Sequence, residues 1–353
     1  FTTLPVTPNL KGMYYYALIV AKDNIVFDGA NHLLKGPEIM SASSDTFTNG
    51  IMLDGRNNVT IKNVNVKTFS TGIALGKTSN SKIMKNNVSD CVQCAYSAAI
   101  GMDLGSGNII IGNNVADCNE AFYFSNCTYN FVLDNKIEST HIGAMALYSS
   151  GGNIFYHNNF YTTGIWILEG YRNQWYYGGI PEGNYWATYT GYDTNGDGIG
   201  EDPYVIDIPT ENIDPYPLVA PYTSFDAGTF NGIQYNVGIS STGNVLSFNF
   251  DPSSCSITFS IYNQPPTASF HTESSAAYAQ AEPLAFCRVT IPKALLWVTS
   301  AQWQVLVGSS PVPVKVVENE NLTCLCFNVT LGTQTVQIVG TNAVPEVPSF
   351  IIL

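Results

Sequence analysis

Gly50-Ile-Met-Leu53, Gly72-Ile-Ala-Leu75, Gly101-Met-Asp-Leu104, Ala121-Phe-Tyr-Phe124, Gly143-Ala-Met-Ala146 and Gly164-Ile-Trp-Ile167 are one short phrase written six times. A second apolar position follows at Ile61, Ile83, Ile110, Val132 and Phe155, in steps of 22, 27, 22 and 23 residues. A third lies five residues later, at Val66, Val88, Val115, Ile137 and Phe160. Between them runs a polar column, Asn86, Asn113, Asn135 and Asn158, with Val64 in its place one repeat earlier. The longest step carries an insertion, residues 92–97. Short strands recurring every 20–25 residues mean one coil per repeat, each stacked on the last. A leucine-rich repeat has a similar period, but its Leu-rich consensus and helical segments are missing. The columns fit a parallel β-helix, with apolar side chains inside and Asn stacked on Asn at the turns. Loop polarity alone gives no fixed offset between the Asn and apolar columns.

Outward from the repeats, composition narrows the reading. The 353 residues exceed the ~250–300 at which single cores stop growing, so two domains are expected. Charged residues are 12% and hydrophobic ones 45%, which excludes a disordered polymer. Lys and Arg number 14 against 27 Asp and Glu, a net charge of −13, and the only arginines are Arg56, Arg172 and Arg288. That excludes a nucleic-acid partner, because phosphate backbones are bound by clustered cations. Gly, Pro, Tyr and Phe are abundant, and no stretch of ~12 residues carries a 3.6-residue apolar period, so the chain reads as all-β. The repeat register fades after Gly178, and composition shifts around 215–221. Residues 1–221 therefore read as the β-helix, closed by a capping segment at about 184–221. From Tyr222 the pattern becomes period-2, as in Cys255-Ser-Ile-Thr-Phe-Ser-Ile261 and Thr335-Val-Gln-Ile-Val339, and predicts an antiparallel, Ig-like β-sandwich over 222–353.

Eight cysteines and five Asn-x-Ser/Thr sequons, at Asn58, Asn87, Asn126, Asn321 and Asn328, point to an oxidising, extracellular or cell-surface location. Phe1 reads as a processed start, and no run of ~18 apolar residues spans a membrane. Cys91 and Cys118 each lie three residues past the third apolar column and should stack on neighbouring coils. The rung spacing of ~4.8 Å suits a disulfide there. Cys94 and Cys127 remain as a further pair, within or between chains. Cys324 and Cys326 point the same way along one strand, so each should bond to Cys255 or Cys287 instead of to the other.

Residues 23–222 resemble the right-handed β-helix repeat proteins of the nitrous-oxide-reductase maturation, "periplasmic copper-binding" family, whose repeats are also described as carbohydrate-binding and sugar-hydrolase domains. The stretch that carries the resemblance is Asn184-Tyr-Trp-Ala-Thr-Tyr-Thr-Gly-Tyr-Asp-Thr-Asn-Gly-Asp-Gly-Ile-Gly-Glu-Asp-Pro-Tyr204 with Asp214-Pro-Tyr-Pro-Leu218. It is similar to the segment that closes the β-helix in archaeal surface members. Asp28-Gly29 and Asn58-Val-Thr-Ile61 match the repeat style. Phe286-Cys-Arg-Val-Thr-Ile-Pro292 and Val344-Pro-Glu-Val-Pro-Ser349 resemble the C-terminal module of archaeal surface proteins, in which a Pro-Glu-Phe-Pro signature precedes an anchor; position 347 is Val here. The resemblance implies a fold more than a function.

Within the closing stretch, Asp193, Asn195 and Asp197 alternate around Gly, Ile199 could offer its carbonyl, and Asp202 a closing carboxylate. That pattern is what a compact structural Ca²⁺ loop needs, although its twelfth position is Tyr204 where an EF-hand has Glu. A solvated Asp/Asn/Gly turn is the plainer alternative. Polygalacturonase-type signatures (Asp-Asp, Gly-His-Gly, Arg-Ile-Lys) are absent, neither Arg56 nor Arg172 has an acidic cluster nearby in sequence, and Asp103 alone stands inside a repeat strand. No catalytic residue is therefore assigned. Copper finds little support, since His32, His141, His157 and His271 are scattered and the methionines sit at packing positions. His157 reads as a turn residue. An aromatic belt, Tyr156, Tyr161, Trp166, Trp175, Tyr176, Tyr177, Tyr185 and Trp186, suits either sugar stacking or capping of the last coils.

The sequence thus predicts an extracellular, self-assembling structural protein of an envelope, sheath or filament, stiffened by Ca²⁺ and disulfides. Its partner would be itself, head to tail, through an uncovered first coil and the apolar tail 344–353. A surface glycan-binding module is the alternative, and a polysaccharide lyase or hydrolase a further one.

Overall fold

The computed structural model describes residues 13–37, 46–94, 97–162, 164–168, 170, 172–178, 181–263, 284–299 and 302–344. Residues 1–12 and 345–353, on which the head-to-tail contact was expected, lie outside them, as does His271. Among the described residues every element is a strand. The chain divides into two compact units, Phe1–Tyr192 with Gly200–Leu218, and Asp193–Ile199 with Val219–Leu353.

The first unit is a parallel β-solenoid of about six turns. Its first sheet stacks Met13–Val20, Thr46–Asp54, Thr71–Gly76, Ala98–Asp103, Glu120–Ser125, Gly143–Tyr148 and Ile165–Leu168. A second sheet runs through Thr60–Lys62, Lys82–Met84, Ile109–Ile111 and Phe131–Leu133, and a third through Asn65–Lys67, Asn87–Ser89, Asn114–Ala116 and Lys136–Glu138. Ile61, Ile83, Ile110, Val132 and Phe155 pair in register, as do Val66, Val88, Val115, Ile137 and Phe160. All belong to one buried apolar core.

The register of the first sheet differs from the sequence reading in two coils. Leu75 pairs with Met102, not Leu104, and Phe124 with Leu147, not Ala146. By that register the small residue opening the phrase is Ala99 in one coil and Ala144 in the other, with Gly101 and Gly143 elsewhere. Glycine therefore does not mark the register in these coils. The column Gly50, Gly72, Ala99, Ala121, Ala144 must be small. A Cβ at Gly72 would lie 2.3 Å from Val88 Cγ1 and 2.7 Å from the Ala99 carbonyl.

Two asparagine ladders close the turns. Each Oδ1 accepts the backbone N–H of the column residue one coil earlier, along Val64, Asn86, Asn113, Asn135, Asn158 and Asn184. The last step is Asn184 onto the carboxylate of Asp214. A parallel ladder runs from Ser81 through Asn108, Asn130 and Asn153 to Asn173. The residue before a ladder position is left-handed at Asn63, Lys85, Asp134 and His157 (φ 53–57°). That sharp turn aims the next side chain inward along the stack. The solenoid ends on stacked aromatics, Phe155 on Trp175 at 4.5 Å, Phe160 on Trp186 at 4.4 Å and Trp186 on Tyr204 at 4.4 Å.

The second unit holds two five-stranded antiparallel sheets. Val237, Ile239, Val289 and Leu325 from one, and Ile257, Phe259, Val336 and Ile338 from the other, share a single core.

Candidate functional site

The interior of the coils is apolar, so chemistry is confined to outer faces. On the first sheet the alternation puts Ile51, Ile73, Ile100, Phe122, Met145 and their i+2 neighbours inside. The residues between them point out. One outward row is Met52, Ala74, Gly101, Tyr123, Ala146 and Trp166; the next is Asp54, Gly76, Asp103, Ser125, Tyr148 and Leu168. Tyr123 and Tyr148 rings lie 5.2 Å apart, and Trp166 is 55% exposed. Small residues (Ala74, Gly76, Gly101) form a floor beside this aromatic patch, bordered by the exposed carboxylates Asp54 and Asp103. Asp103 is therefore not alone: Asp54 stands two coils below it, with Gly76 between.

Glu120 opens the strand of Tyr123 and is only 5% exposed. It pairs in register with Ala98 on one side and Gly143 on the other. Its Oε2 has no hydrogen-bond partner, and burial raises the carboxyl pKa to about 7. The indole of Trp166 lies across Gly143, with Nε1 at 3.0 Å from where a Cβ there would be. Sequence reasoning missed this residue, because an acid in a column of small side chains is visible only in the corrected register.

The aromatic belt divides. Trp175 and Trp186 are buried in the solenoid end, whereas Trp166, Tyr161 and Tyr177 are exposed. His157 is buried, not a plain turn residue. Its Nε2 is 2.8 Å from Glu182 Oε2, and its Nδ1 is 3.7 Å from Asp134 Oδ1. Burial opposes the imidazolium, but the two carboxylates outweigh it and hold the pKa at about 9. Asp134, His157 and Glu182 follow one another coil by coil, at steps of 23 and 25 residues that sequence spacing could have shown.

The loop nominated for Ca²⁺ groups with the second unit from Asp193 to Ile199, while Asp202 belongs to the first. Asp193 accepts the N–H groups of Gly196, Asp197 and Gly198 at 2.6, 3.1 and 2.7 Å. Asp197 Oδ1 accepts that of Ile199 at 3.0 Å. Lys315 Nζ donates to both the carbonyl and Oδ1 of Asn195 at 2.6 Å, and Arg288 donates to the Asp197 carbonyl. Of the oxygens expected to face a cation, Asn195 Oδ1 therefore meets an ammonium group, and the carboxylates of Asp193 and Asp197 accept backbone N–H groups. The Asp202 carbonyl accepts Tyr189 Oη at 2.7 Å.

No disulfide joins any two of the eight cysteines in this structure. Cys91 N donates to Cys118 Sγ at 3.4 Å, so these two do stack on neighbouring coils. Cys94 lies beside Ser97 and Cys127 beside Ser150, at different turns of the coil. On strand Leu322–Thr330, Leu325 and Phe327 enter the core, so Cys324 and Cys326 face the other way, onto Arg288 at 3.2 and 3.9 Å. Cys287 is in the core and Cys255 at its edge, which keeps both apart from Cys324 and Cys326. Asn58, Asn87, Asn126, Asn321 and Asn328 are all exposed.

A copper donor set does not assemble: among the described residues no three or more His, Cys, Asp or Glu side chains converge as metal ligands. Both His157 nitrogens face carboxylates, and Cys324 and Cys326 face a cation. No helix of the described residues is long and apolar enough to cross a membrane.

No curated protein matches the chain. Among solved structures it is similar to the phiAB6 tailspike in complex with three-repeated oligosaccharides of Acinetobacter baumannii surface polysaccharide. The identity is 11%, the match covers 94% of this chain and 72% of that one, and the TM-score is 0.32. A second is the tailspike gp49 from Acinetobacter baumannii bacteriophage Fri1, a capsular polysaccharide depolymerase, at 10% identity, 93% and 70% coverage and a TM-score of 0.15. Neither likeness bears on the ligand of this chain. Residues 16–191, which hold the coils of the solenoid, match the family described as Periplasmic copper-binding protein (NosD).

Proposed function

We propose that this protein is an extracytoplasmic surface β-helix that binds glycan chains along the outer face of its first sheet. The observation that carries the reading is the outward pair of rows in which Tyr123, Tyr148 and Trp166 stand beside a floor of Ala74, Gly76 and Gly101. Aromatic faces stack on the apolar faces of sugar rings while their polar edges remain wetted, and small residues let a chain lie close to the sheet. Tyr123 and Trp166 are two coils apart, about 10 Å, which sets a repeat that a linear polymer along the helix axis can meet. The test is retention on immobilised polysaccharides. Trp166→Ala and Tyr123→Ala should each weaken retention at least tenfold with little change in melting temperature. Failure of the unmodified chain to bind any polysaccharide overturns the reading.

Two further readings have an observation each. A self-assembling envelope or filament role is favoured by the eight-residue strand Met13–Val20, which stands at the edge of the first sheet among the described residues. Electron microscopy of concentrated protein checks it, and persistent monomers refute it. Cleavage is favoured by Asp54 and Asp103, whose backbones are about 10 Å apart across Gly76, near the wide end of an inverting pair. Release of reducing ends, lost in Asp54→Asn and Asp103→Asn, tests that. A Cys91–Cys118 disulfide formed on oxidation, glycosylation at the five exposed sequons and an archaeal origin of the second unit remain parts of the proposal.

A further inference from the structure

Glu120 is the one acid of the first sheet that the fold hides and leaves with an oxygen unserved. A carboxylate held out of water without donors costs several kcal/mol, and folds that need only a spacer use an apolar side chain instead. Its ladder neighbours Ala98 and Gly143 are small, so neither supplies a donor nor fills the space beside it. The half-exposed indole of Trp166 lies over Gly143, the register neighbour of Glu120. A surface indole thus covers the coil neighbour of a buried acceptor, on the strand that carries Tyr123 of the Tyr123–Tyr148 pair.

We propose that Glu120 is the polar anchor of this face, accepting hydrogen bonds from ring hydroxyls of an uncharged glycan whose sugar stacks on Trp166 as the indole swings off Gly143. This rests on the glycan-binding reading and adds the ligand's chemistry. Hydroxyls are the donors that an unserved carboxylate oxygen lacks, and each such charge-assisted bond is stronger than a neutral one. Charge selects among glycans. Asp54, Asp103 and Glu120 put three carboxylates on one face of a chain with net charge −13, so a uronic-acid polymer meets repulsion that a neutral hexose polymer does not.

The experiment uses the full chain at pH 8, with immobilised neutral hexose polymers (glucan, mannan, galactan) and uronic-acid polymers as probes. Retention on at least one neutral polymer, and at least tenfold weaker binding of the uronates, is expected. Glu120→Leu should lose at least tenfold in affinity and melt at a higher temperature, because it removes a buried unsatisfied charge together with the anchor. Glu120→Gln keeps one acceptor and should lose less, which also covers a Leu variant that fails to fold. If Glu120→Leu binds as the unmodified chain does while Trp166→Ala does not, the anchor is wrong and the face reading stands. A lower melting temperature in Glu120→Leu makes the carboxyl structural and overturns the proposal. If no polymer binds, the face reading itself fails.

Discussion

Asn135→Ala removes the middle rung of the longer ladder. The side chain makes four hydrogen bonds in a fully buried turn. Its Oδ1 accepts from Asn113 N at 2.9 Å and Asn113 Nδ2 at 3.0 Å. Its Nδ2 donates to the Ile110 carbonyl and to Asn158 Oδ1, both at 2.9 Å. Asn158 Oδ1 keeps the backbone N–H of residue 135, so it is not stranded. The Asn113 N–H, one Asn113 amide proton and the Ile110 carbonyl each lose a partner. At about 1–3 kcal/mol for each of these three buried groups left unmet, the cost is about 3–9 kcal/mol, against a domain stability of about 5–15. Urea unfolding measures the total. Hydrogen exchange places it, because stability in a stacked repeat is local and the amides of the three central coils should open first. A loss below about 1 kcal/mol refutes the claim that the ladder holds the turns. Val64, at the head of the column, is apolar because no earlier Asn needs an acceptor from it.

Gly72→Val should cost about 1–3 kcal/mol or more by forcing Val88 and the Ala99 carbonyl apart, read as a lower urea midpoint; an unchanged midpoint denies the close approach. His157, with a folded pKa near 9 against 6.5 unfolded, contributes stability that is complete below about pH 6.5 and lost as pH rises through 9. Melting curves from pH 6 to 10 should fall more steeply for the unmodified chain than for His157→Gln, and parallel curves would show the ion pairs to be idle. At the Asp193–Ile199 loop, Lys315→Gln should make melting rise with Ca²⁺ and fall with a chelator, because the Asn195 oxygens lose their internal cation. If chelation instead loosens residues 190–205 of the unmodified chain, a resident Ca²⁺ outcompetes Lys315.

Interior columns were legible because every coil must fill the same space. Ile61 to Phe155 and Val66 to Phe160 could be aligned by apolar type, and Asn86 to Asn158 by their fixed offset. The second ladder, Asn108, Asn130 and Asn153, obeys the same spacing and was there to be read. In the first sheet glycine misleads as a register mark. Gly50 and Gly72 are small because a neighbour's side chain fills their place, and Ala99 and Ala144 meet that demand equally well. The calcium pattern was legible as a loop, since Asp193 does cap three backbone N–H groups. Lys315 and Arg288 answer it from more than 90 residues away, where spacing gives no warning.

Outer faces answer to no such demand, and that is why the candidate site escaped the sequence and why it can be found in the structure. The ladders and apolar columns hold successive coils about 4.8 Å apart in strict register, so an outward residue has its neighbours chosen for it. A column then has a default type, and a departure from it must be explained by that residue alone. In the column Thr71, Ala98, Glu120, Gly143 the default is small, and Glu120 departs with a buried, underserved acid. In the left-handed turn column Asn63, Lys85, Gly112, Asp134, His157 the residues suit a tight turn or a wetted surface, and His157 departs with a buried charge. The two departures are not equivalent. His157 is met by Asp134 and Glu182 from the adjacent coils, so the fold itself accounts for it as an electrostatic staple. Glu120 is met by Ala98 and Gly143, and the fold supplies nothing that its open oxygen requires. A ligand with hydroxyl donors, stacked on the neighbouring indole, supplies what is missing.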